Sequence, residues 1–152
     1  MRGLMLIAVL CAAPLAGCAA LQPKAPADTC VVEVHYLVGS KVAHVTGSSA
    51  RIPGLLGSRD IAELQGGDLL WKLGVANVSA GEVKNGTLVL KGLWKVESEP
   101  IRDGRIHMPL PIGARDFSYN AACSTDQAAL GAFALLQMES EDAMTSAAIE
   151  AS

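Results

Sequence analysis

His35 and His44 are the residues whose type and spacing most invite chemistry. Val32, Val34, Tyr36 and Val38 alternate with Glu33, His35 and Leu37, the period-two pattern of a strand. Gly39-Ser40 suits a two-residue type II′ turn, and residues 41–46 read as the returning strand. In that register Val34 faces Val45, Tyr36 faces Ala43, and His35 faces His44. Directly opposed Cβ atoms lie about 4.5–5.5 Å apart, close enough for two imidazoles to share a metal ion or a proton. Glu33, two residues along on the same face, offers a third ligand. A plainer reading competes with the metal site: polar side chains occupy the solvent face of any half-buried hairpin.

Other chemistry-bearing residues form no activating set. The chain has no G-x-S-x-G elbow, no S-x-x-K and no H-E-x-x-H motif. His107 and Asp103 are near in sequence, but no nucleophile is placed beside them. Val45-Thr46-Gly47, followed by Gly54-Leu55-Leu56-Gly57, faintly resembles the retropepsin-like aspartic proteases. That family takes its carboxylate from an Asp before the Thr-Gly pair, and here the position is Val45, so no acid/base dyad is implied. Asp60, Glu63, Glu97 and Glu99 scatter as a solvated face would. Trp71 and Trp94 read as core packing, with ligand stacking as the competing role. No catalytic residue and no cofactor is expected.

The four cysteines carry more information. Arg2 supplies a positive start, and residues 4–14 form an apolar run too short to span a bilayer but suited to a signal peptide. Leu15-Ala16-Gly17-Cys18 follows, and it resembles the lipobox of bacterial lipoproteins. The resemblance covers only about the first 20 residues. It implies cleavage after Gly17, a diacylglyceryl group on the Cys18 thiol and an acyl chain on the new amine. Ala19 after the lipidated cysteine implies delivery to the outer membrane, facing the periplasm, in a two-membrane cell. The alternative is an ordinary secretory leader cut after Ala20. Cys11 leaves with the leader, so Cys30 and Cys123 remain. In an oxidising compartment an even pair reads as a disulfide, and the loop it closes is long enough to stabilise the fold by about 4–5 kcal/mol. A free catalytic cysteine is the competing role.

Composition narrows the partners. Without residues 1–17 the chain holds 11 Lys+Arg against 15 Asp+Glu, with no basic cluster. Phosphate-backbone binding needs clustered cations, so nucleic acid is not an expected partner. The expected partners are a membrane, through the lipid anchor, and an envelope protein.

The elements that must position these residues are mostly strands. Asn85-Gly86 is the strongest hairpin signal, joining residues 87–97 to a partner over 68–83 that Ser79-Ala80-Gly81 should bulge. Asp103-Gly104 turns into residues 105–112, where Pro109 and Pro111 confine the strand to an edge or end it. Residues 116–122 suit a last short strand. Ser58 before residues 59–65, with Gly66 after, predicts a short internal helix. Leu55 and Leu56, in the Gly-rich segment 51–67, are expected to plug one end of the barrel; the other role for such a loop is binding. Ser124-x-x-Gln127 is a capping box for a helix over 125–138.

The sequence therefore predicts a mainly β fold, a small antiparallel β-sandwich or open barrel with a short internal helix and a C-terminal helix. Its expected organisation is a signal peptide over 1–17, a lipidated N-terminus and Pro-containing tether over 18–29, one β-rich domain over 30–138 and an acidic flexible tail over 139–152. The functional expectation is a non-enzymatic accessory or assembly lipoprotein of the cell envelope. A periplasmic small-ligand or metal binding module and an envelope hydrolase with an unrecognised site are the alternatives.

Overall fold

The structure is a computed structural model that describes residues 29–92, 95–111 and 113–151. The expected leader, Cys11, the lipobox with Cys18, the tether up to residue 28 and Trp94 lie outside the described residues. Ten strands follow in chain order: β1 (Cys30–His35), β2 (Ser40–Thr46), β3 (Ser49–Ile52), β4 (Arg59–Gln65), β5 (Asp68–Leu73), β6 (Ala76–Lys84), β7 (Thr87–Leu90), β8 (Val96–Glu97), β9 (Arg105–Met108) and β10 (Arg115–Tyr119). Among the described residues one helix, α1 (Thr125–Ala151), follows the strands. The strands form a single antiparallel sheet in the order β8-β7-β6-β5-β4-β3-β2-β1-β10-β9.

This sheet curls into a nearly closed barrel. Ser98 lies alongside β7, its backbone N–H donating to the Leu88 carbonyl at 2.8 Å while its hydroxyl accepts from the Leu88 N–H at 2.9 Å. The Glu99 N–H then donates to the His107 carbonyl on β9 at 3.0 Å, so the segment after β8 brings the two ends of the sheet together. Near-closure shortens the exposed edges that an open ten-stranded sheet would offer to other chains.

The helix fills the lumen. Ten consecutive residues, Ala128 through Gln137, are buried, so no side of this stretch faces water. A helix that is apolar all round must be buried all round, and residues 128–136 hold no polar side chain. Gly131 lies against Val32 and Val45 on one wall, while the Phe133 ring meets Gly81 on another. Small residues at 128, 129, 131, 132 and 134 let the strands of the wall approach a single helix. The Ser124 hydroxyl accepts from the Gln127 N–H, and the Gln127 side chain accepts from the Ser124 N–H, both at 3.1 Å, which completes the capping box. The helix runs on past residue 138 to Ala151, so the segment expected as a flexible tail continues it, mostly exposed.

The Cys30–Cys123 disulfide joins the start of β1 to the entrance of the helix. It defines one end of the barrel, the disulfide end. The turns at 47–48, 66–67, 85–86 and 103–104 share that end, and the loops at 36–39, 53–58, 74–75 and 109–111 share the far end. Asn85 (φ 53°) and Gly86 (φ 72°), like Asp103 (φ 57°) and Gly104 (φ 73°), take the left-handed conformation that a type I′ hairpin needs. The expected bulge is present: Leu69 pairs with Gly81 and Leu70 with Ser79, leaving Ala80 unpaired. Strand β9 sits at the edge of the sheet and ends before Pro109.

Two expectations are corrected. Residues 59–65 form β4, not a helix, pairing with β3 and β5 on either side. Helix-forming side chains and a Ser cap lose here to burial of Ile61 and Ala62 against the core and to two strand neighbours. The first hairpin turns earlier than expected, through residues 36–39, with the Tyr36 N–H donating to the Gly39 carbonyl at 2.9 Å.

Candidate interaction surface

That turn decides the histidine pair. His35 pairs with Ser40 and His44 with Val31, so the two imidazoles are not opposed. They lie four residues apart along β1, about 13 Å at roughly 3.3 Å per residue. His35 instead meets Glu33, Nε2 to Oε1 at 2.6 Å. Among the described residues no group of three or more His, Cys, Asp or Glu is placed to hold a metal ion.

The closest His–carboxylate contact across strands is one that sequence spacing did not single out. His107 on β9 pairs with Asp116 on β10, Nδ1 to Oδ1 at 2.6 Å, on the outer face of the barrel. The hydrogen bond to Asp116 holds the imidazole above its ordinary range. A cleft of about 560 Å³ beside them is lined by Glu99, Arg102 and Arg105 as well. Among the described residues no serine, threonine or cysteine lines it. Asp103 lines the same cleft, but the partner of His107 is Asp116. Trp71 packs partly buried against the core, in keeping with its structural role.

The far end of the barrel is chemically different. Here the helix leaves the lumen between cations that begin three strands. Arg115 at the start of β10 grips Glu139 with two nitrogens, Nε at 3.0 Å and Nη2 at 2.8 Å from Oε1. Arg59 at the start of β4 reaches Glu141 at 2.7 Å, and Lys41 near the start of β2 reaches Asp142 at 3.0 Å. Isolated surface pairs contribute little, about 0–1 kcal/mol, but a bidentate pair within a ring of three fixes the helix direction. Tyr36 lies 6.0 Å from the Arg115 guanidinium, its ring facing the charge. Burial, reinforced by the Glu139 charge, pushes its phenol up to about 12.

Around this collar stand exposed apolar side chains. Leu37 and Val38 are fully exposed in the β1–β2 loop, Leu55 and Leu56 in the β3–β4 loop, and Val75 in the β5–β6 turn. Leu73 and Val78 flank that turn, and Met144 and Ile149 sit exposed on the overhanging helix. Each large hydrophobic side chain found exposed among the described residues belongs to the far end. Leu55 and Leu56 therefore do not plug the barrel. The Gly54 N–H donates to the Gly57 carbonyl at 3.0 Å and the Gly57 N–H returns a bond at 3.3 Å, a tight turn that presents both leucines outward. Beneath them a mostly apolar cleft of about 370 Å³ runs between this loop, Ile61 and Met138. Sequence reasoning noted this loop without its neighbours, because only the strand order brings 37–38, 55–56 and 75 to one end.

No protein-family model, no curated protein and no solved structure matches the chain.

Proposed function

We propose that the chain is an accessory or assembly lipoprotein of the cell envelope that holds a docking domain at a membrane without catalysing a reaction. Its anchor is the acylated Cys18 of the Leu15-Ala16-Gly17-Cys18 lipobox, and Ala19 directs it to the outer membrane, facing the periplasm. The observation that carries this reading is the opposition of the two barrel ends. The chain arriving from Cys18 enters at the disulfide end, while the exposed apolar side chains gather at the far end. A compact body tethered at one pole and apolar at the other suits docking on another envelope component, protein or lipid. The Cys30–Cys123 bond agrees with an oxidising compartment. The test is intact mass and membrane fractionation of the native protein beside a Cys18→Ser variant. A lipid-sized mass increase on a chain starting at Cys18, lost in the variant, supports the reading. An unlipidated product starting near Leu21 and free in the soluble fraction overturns it.

A further inference from the structure

We infer that the far end of the barrel docks on a lipid bilayer, its loop tips entering the interface between headgroups and acyl chains. The apolar residues there sit on separate protruding turns: Leu37 and Val38 on one, Leu55 and Leu56 on a second, Val75 on a third, each more than nine-tenths exposed. Projecting points of this kind need an occupant that deforms around each of them. A fluid bilayer does so, whereas a folded partner would need a separate pocket at each matching position.

Charge sets what such docking depends on. The cations nearest the helix exit, Lys41, Arg59 and Arg115, are each paired with a helix carboxylate, so this collar presents no uncompensated positive ring. Apolar insertion is then the main term, and attraction to anionic headgroups the minor one. Binding should survive high salt and should not require anionic lipid.

Reach supplies a further argument, and this step rests on the lipoprotein reading above. Residues 19–29, extended, span about 35 Å at roughly 3.1 Å each. Even the nine residues of β6, the longest described strand, span about 30 Å at roughly 3.3 Å each, and less once the strand tilts. The tether is therefore longer than the barrel is tall. It can fold back so that the lipid on Cys18 and the far end meet the same leaflet.

The test uses the mature protein as purified from the envelope, its intact mass recorded first. A polarity-sensitive dye is placed through Leu56→Cys, and through Lys84→Cys at the disulfide end as the control. Both are mixed with phosphatidylcholine vesicles containing acyl-chain-brominated lipid. Quenching of the Leu56 label but not the Lys84 label, unchanged at high salt, is the expected result. Adding Leu37→Asp and Val75→Asp to the Leu56-labelled chain should weaken that quenching about tenfold in lipid concentration or more. Equal exposure of both labels to water overturns the proposal, as does protection of the Leu56 label by protein concentration alone, which would indicate a second copy instead. If the mass shows no lipid, the anchor reading fails by itself. Quenching of the Leu56 label would then still support docking, and its absence would still overturn it.

Discussion

Gly131 of the central helix faces Val32 of β1 so closely that a methyl group added to the glycine would sit 2.8 Å from the Val32 Cβ. The same methyl would lie 3.2 Å from a methyl of Val45 on the neighbouring strand. Glycine in a helix interior costs up to about 1 kcal/mol relative to alanine, so its place here reflects wall contact and not helix preference. Gly131→Ala should destabilise the protein by about 1–3 kcal/mol despite the better helix former, read as a lower urea midpoint. Val32→Ala should relieve part of that strain, making the double variant less damaged than the two single losses combined. A stabilised Gly131→Ala would mean that the helix does not press on β1.

The disulfide joins residues 93 apart in sequence, so its loss releases a long closed loop into the unfolded ensemble. Replacing both Cys30 and Cys123 by serine should lower stability by about 4–5 kcal/mol on loop-entropy reasoning, checked by urea unfolding. Reductant should shift the midpoint of the parent protein toward that of the variant and leave the variant unmoved. If reduction changes nothing, the barrel and its central helix hold together without the bridge.

Much of this barrel was legible locally, and the exceptions share a cause. Asn85-Gly86 and Asp103-Gly104 specify their turns by backbone conformation, and the Ser124/Gln127 box specifies a helix start from four residues. The β4 segment was not legible, because Arg59, Glu63 and Gln65 carry helix preference while its strand state depends on β3 and β5. The β5–β6 turn was hidden inside one long strand expectation, since Gly74 stands among Leu73, Val75 and Ala76 with no polar turn residue. In the first hairpin the pairing slipped by four residues. An even slip keeps Val32, Val34, Ala43 and Val45 facing the core, so the inward pattern survived while the His35–His44 pairing did not. The apolar far end depends on three loops separated along the chain, which only the complete strand order brings together.

His107 and Asp116 make a pH-dependent contact on the outer face. Their hydrogen bond raises the imidazole above its usual 6.5, with Glu99 adding a smaller push in the same direction. A folded-state value above the unfolded one means that the contribution is present below about 6.5 and fades as pH rises through the raised folded value. Asp116→Asn should bring the His107 titration down, measured from the imidazole proton resonances. An unchanged titration would show that the pair does not persist in solution.

Tyr36 reports on the collar where the helix leaves the barrel. Its phenol is pushed from 10.0 up to about 12, first by burial and then by the Glu139 carboxylate, while Arg115 pulls it down. Because the folded value exceeds the unfolded one, the stability tied to this group is intact below about 10 and drains away as pH climbs toward about 12. Glu139→Gln removes the negative charge and frees Arg115 from its bidentate partner, and both changes favour the phenolate. Tyr36 should therefore ionise at lower pH in that variant, though still above an exposed phenol, because burial remains. Ultraviolet titration of the phenolate in a Tyr119→Phe background isolates Tyr36, the other tyrosine of the chain having been removed. A lower ionisation pH would place Glu139 beside the ring in solution and fix the helix exit where the collar holds it. An unmoved one would mean that the helix end swings free of Arg115.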